Sequence, residues 1–303
     1  MLTILAGGTG SVKLVRGFKK DEISIVCNVG DNIWLYGLYI CPDIDTIVYG
    51  LANLLDRERG WGIKDDTFNF ITQLKSLGLD PWFKIGDKDL AIHVLRTKML
   101  KEGNRLYYIT KFFSNKFGIK ADIIPASEDD IETLILTDQG LIHLQEFWVK
   151  HKGMLNVKDI IYKGMNNAKA TTRVLDLIED SDAIIIAPAN PISSINPIIS
   201  IREINYELKK HKDKCIAISP IIGEDVFSGP AAKYMQALGY EISPYGIAKF
   251  YSPYISKLVI DDSDKRYIDA IENDFGIKVY TTDIMMRDEE DEDRLAEFIK
   301  SVI

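Results

Sequence analysis

Four short segments of this 303-residue chain gather residue types able to hold a charged ligand. In Ala6-Gly7-Gly8-Thr9-Gly10-Ser11-Val12-Lys13, glycines let the backbone approach an anion, and the helix that follows offers free N–H groups and the positive end of its dipole. Gly8, Thr9, Gly10 and Ser11 are therefore candidate phosphate contacts, with Lys13 as a neutralising charge. Neither familiar glycine fingerprint is met. Lys13 stands where a dinucleotide loop has its third glycine, and no Gly-Lys-Ser/Thr closes a triphosphate loop. A glycine turn that only reverses the chain is the plainer alternative.

In the second segment, Asn28-Val29-Gly30-Asp31-Asn32, the acid Asp31 can hold a ribose hydroxyl or a magnesium ion, or simply cap a turn. The third, Cys41-Pro42-Asp43-Ile44-Asp45-Thr46, opens a helical pattern with two carboxylates two residues apart. Hard cations that bridge phosphates prefer such oxygens, although an N-cap with one solvated acid explains the pattern as well. The fourth pairs Ala187-Pro188-Ala189-Asn190-Pro191-Ile192-Ser193-Ser194 with Ser219-Pro220-Ile221-Ile222-Gly223, two proline-bearing loops. Turn chemistry accounts for the prolines but less well for the hydrogen-bonding groups of Asn190, Ser193 and Ser194. No Gly-x-Ser-x-Gly elbow is present. His93, in Asp89-Leu90-Ala91-Ile92-His93, reads as a helical packing or solvated residue rather than a base.

The elements that must position these segments follow from periodicity. Apolar runs at Leu2 to Ala6, Ile23 to Val29, Ala183 to Ala187, Cys215 to Ser219, Leu258 to Ile260 and Lys278 to Tyr280 read as strands. They alternate with helical patterns, which predicts an α/β fold: a doubly wound, mainly parallel, Rossmann-like sheet within one domain, residues 1–303. Residues 67–149 break the rhythm and read as an inserted, mostly helical subdomain, with helices over Asp66 to Leu77 and Lys88 to Leu100 and short strands at Ile123 to Ile124 and Thr133 to Leu136. The acidic run Asp288 to Asp293 opens a terminal amphipathic helix. In such a sheet, ligands bind beyond the strands' carboxyl ends, where the four segments fall.

Composition narrows the class. With 46% hydrophobic and 27% charged residues the chain is globular, and a net charge of -8 offers no broad positive surface for nucleic acid. Three scattered cysteines without a CxxC pair fit a reducing compartment. No apolar stretch approaches the roughly 18 residues of a membrane helix and no signal peptide is recognisable, so a cytoplasmic protein without a membrane partner is expected.

Taken together, the blocks Gly7-Gly8-Thr9-Gly10, Asn28-Val29-Gly30-Asp31, Pro42-Asp43-Ile44-Asp45-Thr46, Gly86-Asp87-Lys88-Asp89-Leu90-Ala91 with His93 and Arg96-Thr97, and the two proline loops resemble the 2-phospho-L-lactate transferase (CofD) family of coenzyme F-420 synthesis. The likeness spans most of the chain. It implies transfer of a phospholactyl or related phosphorylated three-carbon acid from a guanosine diphosphate ester to the deazaflavin alcohol Fo, with release of GMP. It also implies magnesium (Mg2+), a homodimer, and an Fo pocket using Asp45 and Lys88. Asp31, Asp43 and Asp45 are then the candidate metal ligands, and Asp45 the candidate to take the alcohol proton. Asn32 departs from an acid associated with that position, which puts a metal role there in question. A nucleotide-binding regulatory protein of the same fold is the alternative, and a NAD-dependent oxidoreductase is disfavoured by Lys13.

Overall fold

The computed structural model describes residues 1–223, 225–226 and 230–303. Seven strands form one parallel sheet: β1 (Leu2–Ala6), β2 (Ile23–Cys27), β3 (Asp122–Pro125), β4 (Ala183–Ile186), β5 (Cys215–Ile218), β6 (Lys257–Asp261) and β7 (Lys278–Thr282). Helices cover both faces, so the strands read as continuous apolar runs rather than alternating ones. Ile184, Ile185 and Ile186 of β4 are wholly buried, and each such side chain stabilises the fold by about 1.5–3 kcal/mol.

The order across the sheet is β7-β6-β5-β4-β1-β2-β3. The chain winds from β1 outward through β2 to β3, then returns to the other side of β1 with β4 and winds outward to β7. The winding direction thus reverses between β1 and β4, which pair in parallel from Leu2↔Ala183 to Leu5↔Ile186. The loops leaving these two strands flank a crevice, the usual ligand position in an open α/β sheet.

All six strands expected outside residues 67–149 are in this sheet. The seventh, β3, comes from the span read as an insert and pairs with β2 from Ser24↔Asp122 to Cys27↔Pro125. Residues 67–149 are therefore not a wholly separate layer. They contain helices Asn69–Ser76, α3 (Asp87–Lys101) and Leu106–Lys116, the edge strand β3, and two strands of a small antiparallel sheet completed by Val157–Lys163.

Two further helices bear on the site. Helix α1 (Gly8–Gly17) begins in the glycine segment, and α2 (Pro42–Leu51) begins at the Asp43-Asp45 segment with Pro42 in its first turn, where a missing N–H costs nothing. The C-terminal helix, α4 (Glu289–Val302), is capped by Asp288, whose carboxylate accepts the Asp291 N–H at 3.0 Å. It braces α1 through the buried Arg16–Glu292 ion pair. Among the described residues no helix is long and apolar enough to cross a membrane.

Candidate active site

A cavity of about 770 Å³ opens at the reversal between β1 and β4. Its floor contains Gly8, Thr9 and Gly10 from the start of α1, and Asn190, Ser193 and Ser194 from the loop after β4. These loops touch. A Cβ on Gly7 would stand 2.9 Å from Ser194 Cβ, and one on Gly10 would stand 2.2 Å from the Pro188 carbonyl oxygen. Gly8 has a φ of +70°, a left-handed conformation that suits glycine.

Asp31 and Asp43 line the same cavity, and both are buried. Asn28 donates from Nδ2 to Asp43 Oδ2 at 2.9 Å and to the Ser193 carbonyl at 3.2 Å, joining β2, α2 and the loop after β4. Gln145 donates from Nε2 to Asp31 Oδ2 at 3.1 Å. Asp31 Oδ1 is buried without a partner among the described residues. Burial, followed by the charge of Asp43, pushes the Asp31 carboxyl well above the usual carboxylate range. Burial also raises Asp43, against the opposing effects of Asn28 and the Gly8 N–H.

Two neighbouring buried carboxyls, one with an orphaned oxygen, form a set of hard oxygens whose ionised form a small dication would stabilise. The pair therefore fits magnesium. A second cluster, Asp45, Asp89 and His93, brings ligand atoms within 4.8 Å of one another. There, however, Arg96 already supplies the positive charge, with both guanidinium arms on Asp45, Nη1 donating to Oδ2 at 3.0 Å. Tyr49 donates its hydroxyl proton to Asp89. A cation placed beside that guanidinium would be repelled.

Several sequence expectations change accordingly. Asp45 is not a wall of the cavity: it faces Arg96, and His93, 1% exposed, closes the network with Nδ1 3.1 Å from Arg96 Nη1. Its carboxylate is thus engaged by the guanidinium. Lys88 is exposed and donates from Nζ to the Lys64 carbonyl at 3.1 Å, so the structure does not bring it to the cavity with Asp45. Lys13 donates to the Met286 carbonyl at 2.8 Å and lies outside the cavity, tying α1 to the segment before α4. Ser11 is consumed locally: its hydroxyl donates to the Gly7 carbonyl at 2.8 Å and accepts the Gly7 N–H at 2.9 Å, fixing the loop.

Asn190 accepts the Ile192 and Ser193 N–H groups with Oδ1, while its Nδ2 is buried without a partner among the described residues. Asn32 turns away from the carboxylate pair. Its Nδ2 donates to the Tyr39 hydroxyl at 3.2 Å, and it lines a second cavity. The missing acid there takes nothing from the Asp31–Asp43 pair.

Sequence reasoning missed Asn28 as the link between loops, Gln145 behind Asp31, and the aromatic side chains at the mouth. Asn28 lay in a segment already singled out. Gln145, 114 residues from Asp31, gave no signal.

A family profile described as "2-phospho-L-lactate transferase CofD" matches residues 2–297. The 2-phospho-L-lactate transferase of Methanocaldococcus jannaschii is 40% identical over 307 residues, covering 99% of this chain and 97% of its own. That of Methanosarcina mazei is 38% identical, covering 98% and 99%. That of Methanococcus maripaludis is 41% identical over 271 residues, covering 87% of each chain. Among solved structures, a UPF0052 family member from Bacillus halodurans superposes with a TM-score of 0.68 at 13% identity, covering 99% of this chain and 98% of its own. That likeness bears on the fold alone.

Proposed function

This chain belongs to the CofD family of transferases, and from that premise we propose that it moves a phospholactyl or related phosphorylated three-carbon acid from a guanosine diphosphate ester to the alcohol Fo. GMP leaves, and the product is the precursor of coenzyme F-420. One observation carries the reading: the N–H-rich glycine loop and two buried carboxylates face one cavity. A diphosphate beside two acids is repelled unless a dication lies between them, so the site suits a magnesium-bound diphosphate better than a lone anion.

Asp31 and Asp43 would hold the magnesium, which when bound supplies charge neutralisation to the diphosphate oxygens. The Gly8, Thr9 and Gly10 backbone receives the phosphates. Asn190, with its free Nδ2, and the hydroxyls of Ser193 and Ser194 hold the guanosine part. The Fo oxygen attacks the phosphorus bearing the three-carbon acid, the P–O bond to GMP breaks, and its electron pair leaves with the GMP phosphate. The alcohol proton goes to water at the open mouth. Such a displacement at phosphorus draws mainly on in-line positioning and electrostatics. Asp45, held by Arg96, fixes the first turn of α2 and hence Asp43, and Lys88 bounds the loop over Lys64. The family resemblance also supports a cytoplasmic homodimer.

GMP release measured with purified protein, donor and Fo tests the reading. Release that requires both Fo and magnesium supports it. Release at the same rate without Fo would replace the transferase with a hydrolase.

A further inference from the structure

A second cavity, of about 420 Å³, shares no lining residue with the first. It lies between the hairpin Ile33–Leu35 with Leu38–Ile40, the turn joining α3 to the helix Leu106–Lys116, and residues 127–130 after β3. Most polar groups of its wall are already engaged. Glu128 accepts the Leu106 N–H at 2.7 Å on one carboxylate oxygen and the Tyr107 N–H at 3.0 Å on the other. The N-terminus of that helix is thereby closed to any other anion. Ser127 donates to the Lys169 carbonyl at 2.7 Å and accepts the Asp129 N–H at 3.0 Å, and Asn104 donates to the Met99 carbonyl at 3.0 Å.

Two acceptors in the same wall are left over. Asn32, 4% exposed, donates from Nδ2 to the Tyr39 hydroxyl, while its Oδ1 is buried without a partner among the described residues. An orphaned buried acceptor is costly, and a ligand that donates to it recovers the cost. Asp130 pairs with no cation among the described residues, and the neighbouring Lys163 is engaged by Glu132 at 2.7 Å. Three carboxylates, of Glu128, Asp129 and Asp130, line the cavity with a single guanidinium, that of Arg105. The remaining side is aromatic. Trp34 stands opposite Tyr39 across the hairpin, ring centroids 4.9 Å apart, and is 52% exposed.

This combination selects a class of ligand. An anion would meet an excess of negative charge. A metal ion of the hard kind needs six or more oxygens around it, and an aromatic wall supplies none. A cation on an apolar stem suits every side: its N–H groups reach the orphaned acceptor, the acids balance its charge, and a ring face attracts it as well.

We propose that this second cavity binds a small organic cation, an alkyl ammonium whose charged head donates to Asn32 Oδ1 and Asp130 while its stem lies against the Trp34 ring. Bound there, the cation joins the hairpin to residues 127–130. The site is separate from the cavity at the sheet reversal and does not depend on the transferase reading.

Calorimetric titration of the full chain with putrescine, an alkyl diamine, and with butanediol, its uncharged counterpart, tests this at constant ionic strength. Wild type should bind putrescine saturably and butanediol not at all. Trp34→Ala and Asp130→Asn should each raise the Kd for putrescine about threefold, the scale of one exposed cation–π contact or one exposed ion pair. Asn32→Leu should raise it about tenfold or more, the scale of a hydrogen bond to a charged group. Trp34 and Asp130 are exposed, so those two variants should keep the wild-type melting temperature and remain informative if Asn32→Leu fails to fold. Absence of saturable binding at millimolar putrescine would overturn the proposal, as would unchanged affinity in both exposed variants. Displacement of putrescine by magnesium chloride would reassign the site to a metal ion, and displacement by GDP with magnesium would move the diamine to the first cavity; either result would also overturn it.

Discussion

On the proposed reading Asp43 is the residue on which the chemistry turns, because it touches the glycine loop, Asn28 and the charge of Asp31 at once. Asp43→Asn keeps the shape and removes one of two repelling charges. Transfer should fall on the order of 100-fold, the scale of losing a major electrostatic contact to the reacting group. Without magnesium the melting temperature should hold or rise, and the stabilisation that magnesium gives wild type should disappear. Rate assays paired with thermal melts with and without the ion check both. Gly10 makes a different prediction. Its missing Cβ makes room for the Pro188 carbonyl rather than for a ligand, so Gly10→Val should destabilise the fold by about 1–3 kcal/mol or more by overpacking. Denaturant melts read this, and a fully stable variant that merely loses nucleotide would contradict it. The sequence made Asp31, Asp43 and the glycine loop visible because their neighbours in the chain are also their neighbours in space. It hid the partner of Asp45, since Arg96 lies 51 residues away and no local pattern announces a buried ion pair.

Helices α2 and α3 are clasped by buried polar groups as well as apolar ones. Arg96, His93 and Asp89 of α3 meet Asp45 and Tyr49 of α2, and the Thr97 hydroxyl accepts the Tyr39 N–H at 2.8 Å. Breaking one side of such a pair leaves an uncompensated charge out of water. Arg96→Met should therefore destabilise by about 3–5 kcal/mol, and Asp45→Asn combined with Arg96→Met should restore a large part. Urea denaturation of the two single variants and the double variant forms the cycle; strictly additive losses would show that the clasp is not a unit. Because α2 carries Asp43 in its first turn, the same variants should lose transfer activity even where they fold. The sequence showed α2 and α3 through their apolar spacing and first-turn acids. Their mutual contact was not visible, because helix phase fixes which residues share a face but not which helix that face meets.

For the whole molecule, the site exists because the sheet reverses its winding between β1 and β4. Six strands could be read from apolar runs, and with them the crevice at their carboxyl ends. Strand β3 was less distinct, since only Ile123 and Ile124 separate Asp122 from Pro125. The aromatic mouth could not be read, because Trp61, Trp82 and Trp148 are scattered without a period and only the segments around the sheet bring them together. One cavity is lined by the glycine loop, by aromatic side chains and by two buried acids that suit a dication. Together these features support the proposed transfer of a phosphate-linked group to the alcohol Fo. Mass spectrometry of purified protein incubated with Fo, magnesium and, in turn, guanosine diphosphate esters of lactate, enolpyruvate and glycerate tests this most directly. The account predicts that at least one donor gives an Fo phosphodiester and GMP in equal amounts. GMP without any modified Fo, or no consumption of any donor by folded protein, would contradict it.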